Sequence, residues 1–186
     1  MDDINSIGVY CASSNGRDKI YKKTASRLGH LIALNKKRLV YGGGNIGTMK
    51  ALADSSYANG GEVIGIITKY LLRREKRNPN ISKLVIVDNM HKRKEKIFRL
   101  SDVLVAMPGG VGTIDELIEV ITWKQLGIHS KPIILLNINN YWNPLIKVLE
   151  HVHKTGFAKK QILRTYKIAN NISEFLNILR LNKWKK

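Results

Sequence analysis

Residues 105–120 read VAMPGGVGTIDELIEV. An apolar run ends at Pro108 and the glycines Gly109, Gly110 and Gly112, and the acids Asp115, Glu116 and Glu119 follow at once. Acids are scarce elsewhere, with 14 Asp and Glu against 32 Lys and Arg, so their arrival here asks for a reason. Glycine at a strand end lets backbone amides approach a ligand closely, and the helix that follows adds partial positive charge; together they make an anion site, most often for phosphate. A carboxylate just past such a loop can stabilise developing positive charge or direct a water. The same letters have a plainer reading. Thr113-Ile114-Asp115-Glu116 has the T-x-x-E form of a capping box, and acids suit the first turn of a helix. The residues alone leave both readings open.

A second group is MHKRKEKIFRL, residues 90–100. Helical spacing puts Met90, Ile97 and Leu100 on an apolar side, with Arg93 projecting among them. A guanidinium is almost never buried without a partner. Arg93 is expected in an internal ion pair or in an anion-filled cleft, and the two merge if the cleft holds Glu116 or Glu75. Lys92, Lys96 and Arg99 fall on the other side and read as solvated charge. On the helix after the glycines, Ile114, Leu117, Ile118 and Ile121 form a core stripe. That leaves Glu119, Val120 and Trp123 to meet a second subunit or a flat ligand such as a purine.

The elements that must position these residues alternate along the chain. Candidate strands are Ser6–Cys11, Arg38–Tyr41, Glu62–Ile67, Lys83–Val87, Val103–Met107, Pro132–Asn137 and Tyr166–Ala169. Candidate helices are Lys19–Leu34, Thr48–Ala58, Met90–Leu100, Thr113–Leu126, Pro144–His153 and Ile172–Leu181. Strand cores such as VLVAM and IILLNI are continuous rather than alternating, which suits parallel strands covered on both faces. The expectation is one α/β domain over residues 1–186, a doubly wound parallel sheet of about seven strands with helices on both faces. Ligands in such sheets bind beyond the carboxyl ends of the strands. Three loops lie there: VYCASSNG, LVYGGGNIGT and VAMPGGVGT. None has the dinucleotide fingerprint or the Lys-Ser/Thr ending of a phosphate-binding loop, so neither NAD nor ATP-driven chemistry is expected.

Composition narrows the class further. The 186 residues suffice for one well-buried domain. No apolar run approaches the roughly 20 residues of a membrane span, and MDDINSIGVY lacks the apolar core of a signal peptide. A lone Cys11 in an apolar run excludes an internal disulfide and fits a cytoplasmic setting. His91, His151 and His153 form no ligand set, and no metal or cofactor is expected. The formal charge is +18, thickened at RREKR (73–77), HKRKEK (91–96) and the tail. With no nucleic-acid motif beside it, this charge is expected to be a solvated surface, and nucleic-acid binding is disfavoured.

Taken together, these motifs resemble the Lonely Guy family of cytokinin riboside 5′-monophosphate phosphoribohydrolases. The family's PGGxGTxxE motif stands intact as Pro108 to Glu116. VYCASSNG, YGGGNIG, VIGII, MHKRK and TWKQLGIHSKPIILLN are similar as well, from about Ile7 to Phe157. The resemblance implies a Rossmann-like enzyme, usually a homodimer. It would hydrolyse the N-glycosidic bond of a purine nucleoside 5′-monophosphate, with adenine or an N6-modified adenine as base, to free base and ribose 5-phosphate. It implies catalytic roles for Arg93 and Glu116. It places Ser14, Gly43, Gly44, Glu75, Met90, Lys94, Gly109, Gly110, Gly112 and Thr113 on the nucleotide. Two positions depart: Gly47-Thr48-Met49-Lys50 stands where the family commonly has GLMG, and Asp115 where a glutamate is frequent. The family has also carried the label lysine decarboxylase, and no lysine here reads as a pyridoxal phosphate site. A nucleotide-binding module without hydrolysis and a basic nucleic-acid-associated protein are the alternatives.

Overall fold

The computed structural model describes residues 4–75 and 77–180. Seven strands form one sheet in the order β4-β3-β2-β1-β5-β6-β7, and every pairing is parallel. The strands are β1 (Ser6–Tyr10), β2 (Arg38–Tyr41), β3 (Val63–Thr68), β4 (Lys83–Val87), β5 (Val103–Ala106), β6 (Ile133–Leu136) and β7 (Lys167–Ala169). The helices between them are α1 (Lys19–Leu34), α2 (Gly47–Ala58), α3 (Lys69–Arg74), α4 (Met90–Arg99), α5 (Val111–Gln125) and α6 (Asn143–Lys154), and α7 (Ile172–Leu179) ends the order.

The chain first builds outward from β1 to β4, then returns to lay β5 on the other side of β1 and runs out to β7. The crossover direction reverses between β1 and β5, so the loops leaving these two strands diverge and open a crevice.

The continuous apolar strands divide their side chains between two cores. Ile7, Val9, Leu39, Tyr41, Val103, Val105, Ile134 and Leu136 face α1, α2 and α7. Tyr10, Val40, Leu104, Ala106, Ile133 and Leu135 face α4, α5 and α6. Burial on both faces is what the unbroken apolar runs require.

Three expectations need correction. Helix α5 begins at Val111 with Gly110 as its N-cap, so Thr113 and Glu116 lie inside the helix and form no capping box. The amides of Thr113 and Ile114 both reach the Gly110 carbonyl, at 3.0 and 3.1 Å, and this starts the helix before the threonine. Val120 is a core residue packed with Leu117 and Ile121, not an outward one. The face that meets the sheet is rotated by one position from the expected stripe, leaving Ile114 and Ile118 at its margin. Trp123 is half-buried and meets Phe98 edge-on, ring centres 5.2 Å apart. Helix α3 was not anticipated; the Thr68 hydroxyl caps it by accepting from the Leu71 amide at 3.1 Å. Leu181, the expected end of the last helix, lies outside the described residues.

Candidate active site

The crevice at the β1/β5 reversal is a cavity of about 240 Å3. One wall is the loop after β1, Cys11 to Ser14; the other is the start of α5, with Gly110, Gly112, Thr113 and Glu116. Met90 and Arg93 enter from α4, and Leu71 and Glu75 from the end of α3. A smaller pocket of about 180 Å3 adjoins it, sharing Ala12, Ser14 and Gly110 and adding Gly109 and Tyr141.

Arg93 and Glu116 meet here as an ion pair, Nη1 to Oε1 at 3.0 Å, and both side chains are over nine-tenths buried. Arg93 is held by two further bonds: Nε donates to the Ile66 carbonyl at 3.0 Å and Nη2 to the Gly42 carbonyl at 2.9 Å. The guanidinium therefore ties the ends of β2 and β3 to α5, its planar fork matching three fixed acceptors. Gly42 has no room for anything larger, because a Cβ would stand 2.0 Å from Nη2. Only Oε1 of Glu116 accepts a hydrogen bond from the described residues, so Oε2 remains for the cleft. Burial pushes the Glu116 carboxyl above the usual carboxylate range; Arg93 pulls it down without cancelling the rise, and Asp115 adds to it.

The start of the helix that carries Glu116 supplies an anion site. No side chain caps α5, and a Cβ at Gly110 or Gly112 would meet nothing within 4 Å, so the first turn opens on free space. The amides of Val111 and Gly112 in that turn have no intrahelical acceptor and carry the positive end of the helix dipole. Gly109 lies to the side: its carbonyl accepts from the Tyr141 hydroxyl, and a Cβ would run into Thr113.

Thr48 explains one departure from the family pattern. Its hydroxyl accepts from the Ala12 amide at 2.9 Å and donates to the Ala12 carbonyl at 3.2 Å, fixing the loop after β1. Lys50 points elsewhere, to Asp54 in the next turn.

Of the residues assigned to the nucleotide, Ser14, Glu75, Met90, Gly110, Gly112 and Thr113 line the cleft and Gly109 lines its side pocket. Gly43, Gly44 and Lys94 are not among the lining residues. Gly43 has φ of +76° and packs on the backbone of Ile66; at Gly44 a Cβ would collide with Met49 and Glu75. Their bareness makes room for these neighbours, of which Met49 and Glu75 line the cleft. Lys94 is buried between Asp115, at 3.1 Å, and Glu119, at 3.0 Å. Burial alone would lower its pKa, but these two acids outweigh that and hold it raised. The carbonyls of Gly42 and Ile66 were missed, since sequence letters do not say which backbone oxygen meets which side chain. Cys11 also lines the cleft; burial pushes its thiol up, so it is a neutral wall.

A family model described as "Possible lysine decarboxylase" matches residues 49–179. A probable cytokinin riboside 5′-monophosphate phosphoribohydrolase of rice, Oryza sativa subsp. japonica, is 42% identical over 153 residues, 82% of this chain but 63% of its own length. A cytokinin riboside 5′-monophosphate phosphoribohydrolase of Arabidopsis thaliana is 43% identical over 151 residues, 81% of this chain and 70% of its own. A solved structure, the molybdenum cofactor binding protein of Rippkaea orientalis, superposes with a TM-score of 0.70 over 97% of this chain and 98% of that one; at 20% identity the likeness is one of fold. Identity above 40% across four fifths of the sequence is kinship rather than shared architecture, and the chain belongs to the Lonely Guy family of cytokinin riboside 5′-monophosphate phosphoribohydrolases.

Proposed function

We propose that this protein hydrolyses the N-glycosidic bond of a purine nucleoside 5′-monophosphate, with adenine or an N6-modified adenine as base, releasing the base and ribose 5-phosphate. The observation that carries the reading is the buried Arg93–Glu116 pair at 3.0 Å, one turn along α5 from its uncapped start. The 5′-phosphate rests on the Gly110–Gly112 amides beside Ser14. Glu116 lies one helical turn beyond Gly112, about 6 Å along the axis, which suits the reach from phosphate to anomeric carbon.

As the bond to the base lengthens, positive charge gathers on the sugar. The Glu116 carboxylate stabilises that charge and orients a water toward the anomeric carbon. The bond's electrons leave with the base, water oxygen joins the sugar, and a proton from that water ends on the base. Three donors of Arg93 are already committed to the protein. Its role is therefore to hold Glu116 in place, more than to clamp phosphate. Decarboxylation by a lysine Schiff base is not supported. It needs a neutral amine, and Lys94, the lysine beside the site, is kept charged by Asp115 and Glu119.

The same reading includes a homodimer in the cytoplasm. Exposed Val111, Leu126 and Ile128 at the two ends of α5 offer apolar surface for a second copy. No helix among the described residues is long and apolar enough to cross a membrane. The test supplies AMP, GMP, CMP and N6-isopentenyl AMP to purified protein and follows free base by chromatography. Release from the adenine nucleotides and not from CMP is expected. Tight nucleotide binding with no base released would leave only a binding module.

A further inference from the structure

A large concavity lies outside the cleft, an open groove of about 1280 Å3 along α1 and α2. Its α1 wall is cationic. Arg17, Lys19, Lys22, Lys23 and Arg27 line it, and the helical members recur at steps of three and four residues with Ser26 and His30, on a single face. From Lys19 to His30 this face runs about 16 Å at 1.5 Å per residue. None of those five cations makes an ion pair within the described residues. The acids of the groove are already engaged. Asp18 accepts from the Ile20 amide and from Asn139, both at 2.9 Å, and Asp54 takes Lys50 and Asn78.

Such a wall disfavours its own helix. Lys19 and Lys22 stand in the first turn, where the helix dipole is already positive and where the N-cap Asp18 is the one acid set against them. Lys19 with Lys23, and Lys23 with Arg27, are like charges four residues apart, which repel. A stripe that costs helix stability yet is set in a concavity is what an anionic chain would relieve.

The groove also has a shape. α1 and α2 touch at Gly29, where a Cβ would come within 2.1 Å of the Leu52 carbonyl. A crease between touching helices suits a thin strand better than a duplex. Leu31, Ala51 and Ala58 give it an apolar base. Asn15 and Gly16 line both this groove and the pocket adjoining the cleft, so the two are continuous on the side of Ser14.

We infer that the α1–α2 groove binds single-stranded nucleic acid through its phosphates, laid along α1 and ending at the mouth of the cleft. The inference does not depend on the hydrolase reading, and its test separates them. The full chain is titrated against a fluorescent single-stranded RNA of about 12 nucleotides, followed by anisotropy at several salt concentrations. Lys22→Ala/Lys23→Ala/Arg27→Ala removes three groove cations. Lys147→Ala/Lys154→Ala/Lys159→Ala removes three exposed cations elsewhere and controls for the general charge. All six sites tolerate alanine as exposed positions, and base release from AMP is expected to be unchanged in both variants. The groove variant should bind at least tenfold more weakly, its log-affinity against log-salt slope shallower by about 2, near 0.7 for each lost contact. The control should lose far less. Equal losses in the two variants, absence of binding by the unmodified protein, equally tight binding of a duplex, or displacement by inorganic polyphosphate as effective per phosphate as RNA would each overturn the inference.

Discussion

Glu116→Gln keeps the shape and the Arg93 contact of this side chain and removes its charge. If that charge acts on the transition state, kcat falls by about 100-fold or more while KM moves much less, because the partner charge exists only during bond breaking. Steady-state kinetics with the best nucleotide check both numbers. Since Gly110 and not Thr113 starts the helix, loss of a cap cannot produce the same result. Arg93→Ala leaves the carboxylate buried and two carbonyls without donors. It should lower stability by roughly 3 kcal/mol, read by urea denaturation, as well as abolish turnover. The pH profile offers a separate check. Burial raises the Glu116 pKa, so the acid limb of kcat/KM should lie above the ordinary carboxylate range, activity falling as pH drops through it. Stability runs the other way: with the folded pKa above the unfolded one, what this group contributes is full below the unfolded value and lost as pH rises through the folded one. Both residues were legible because an arginine on an apolar helix face needs a partner and acids are scarce. The ion pairs of Lys94 were not, since its partners Asp115 and Glu119 sit on another helix whose facing side the letters do not fix.

At the scale of elements, the start of α5 and the crossing of α1 over α2 are both set by glycine. Gly112→Val puts a branched side chain into the open space before α5. It should raise KM for the nucleotide about tenfold or more, the scale of losing one hydrogen bond to a charged group, with thermal stability nearly unchanged. A cleavage rate for adenosine equal to that for AMP would instead remove the phosphate from the argument. Gly29→Ala poses a contest. Helix propensity gains about 1 kcal/mol, but a backbone carbonyl at 2.1 Å from the new methyl has to shift, and overpacking costs about 1–3 kcal/mol. A net loss near 1 kcal/mol in chemical denaturation is expected. The central strands were readable because short continuous apolar runs such as VLVA and IILL, each ending in a turn, have few other uses. Helix α3 was not, because LLRR carries too short a pattern to register against the basic stretch around it. Nor was the rotation of α5, where Ile114 and Val120 are equally apolar and only the sheet decides which turns inward.

For the whole molecule, charge and association dominate. A formal +18 on 186 residues repels itself, and the Debye length shrinks from about 30 Å at 0.01 M salt to about 8 Å at 0.15 M. The melting temperature should therefore rise with salt over this range, while Arg93 and Glu116, being buried, are little screened. A flat or falling response would mean that surface pairs such as Arg38–Glu62 outweigh the repulsion. Light scattering at micromolar concentration is expected to give twice the 21.1 kDa of one chain. A monomer would count against the dimer.

The guanidinium that reaches from α4 to Gly42 and Ile66 on one wing and to Glu116 on the other has a consequence for biosynthesis. As the chain leaves the ribosome, β1 to β4 can assemble as a wing before α5 exists. Until β5 docks beside β1 and brings α5 with it, Arg93 has no Glu116 to pair with and the crevice lacks its glycine-lined wall. The Arg93–Glu116 pair therefore cannot form on the nascent polypeptide until the last-joined half of the sheet has closed.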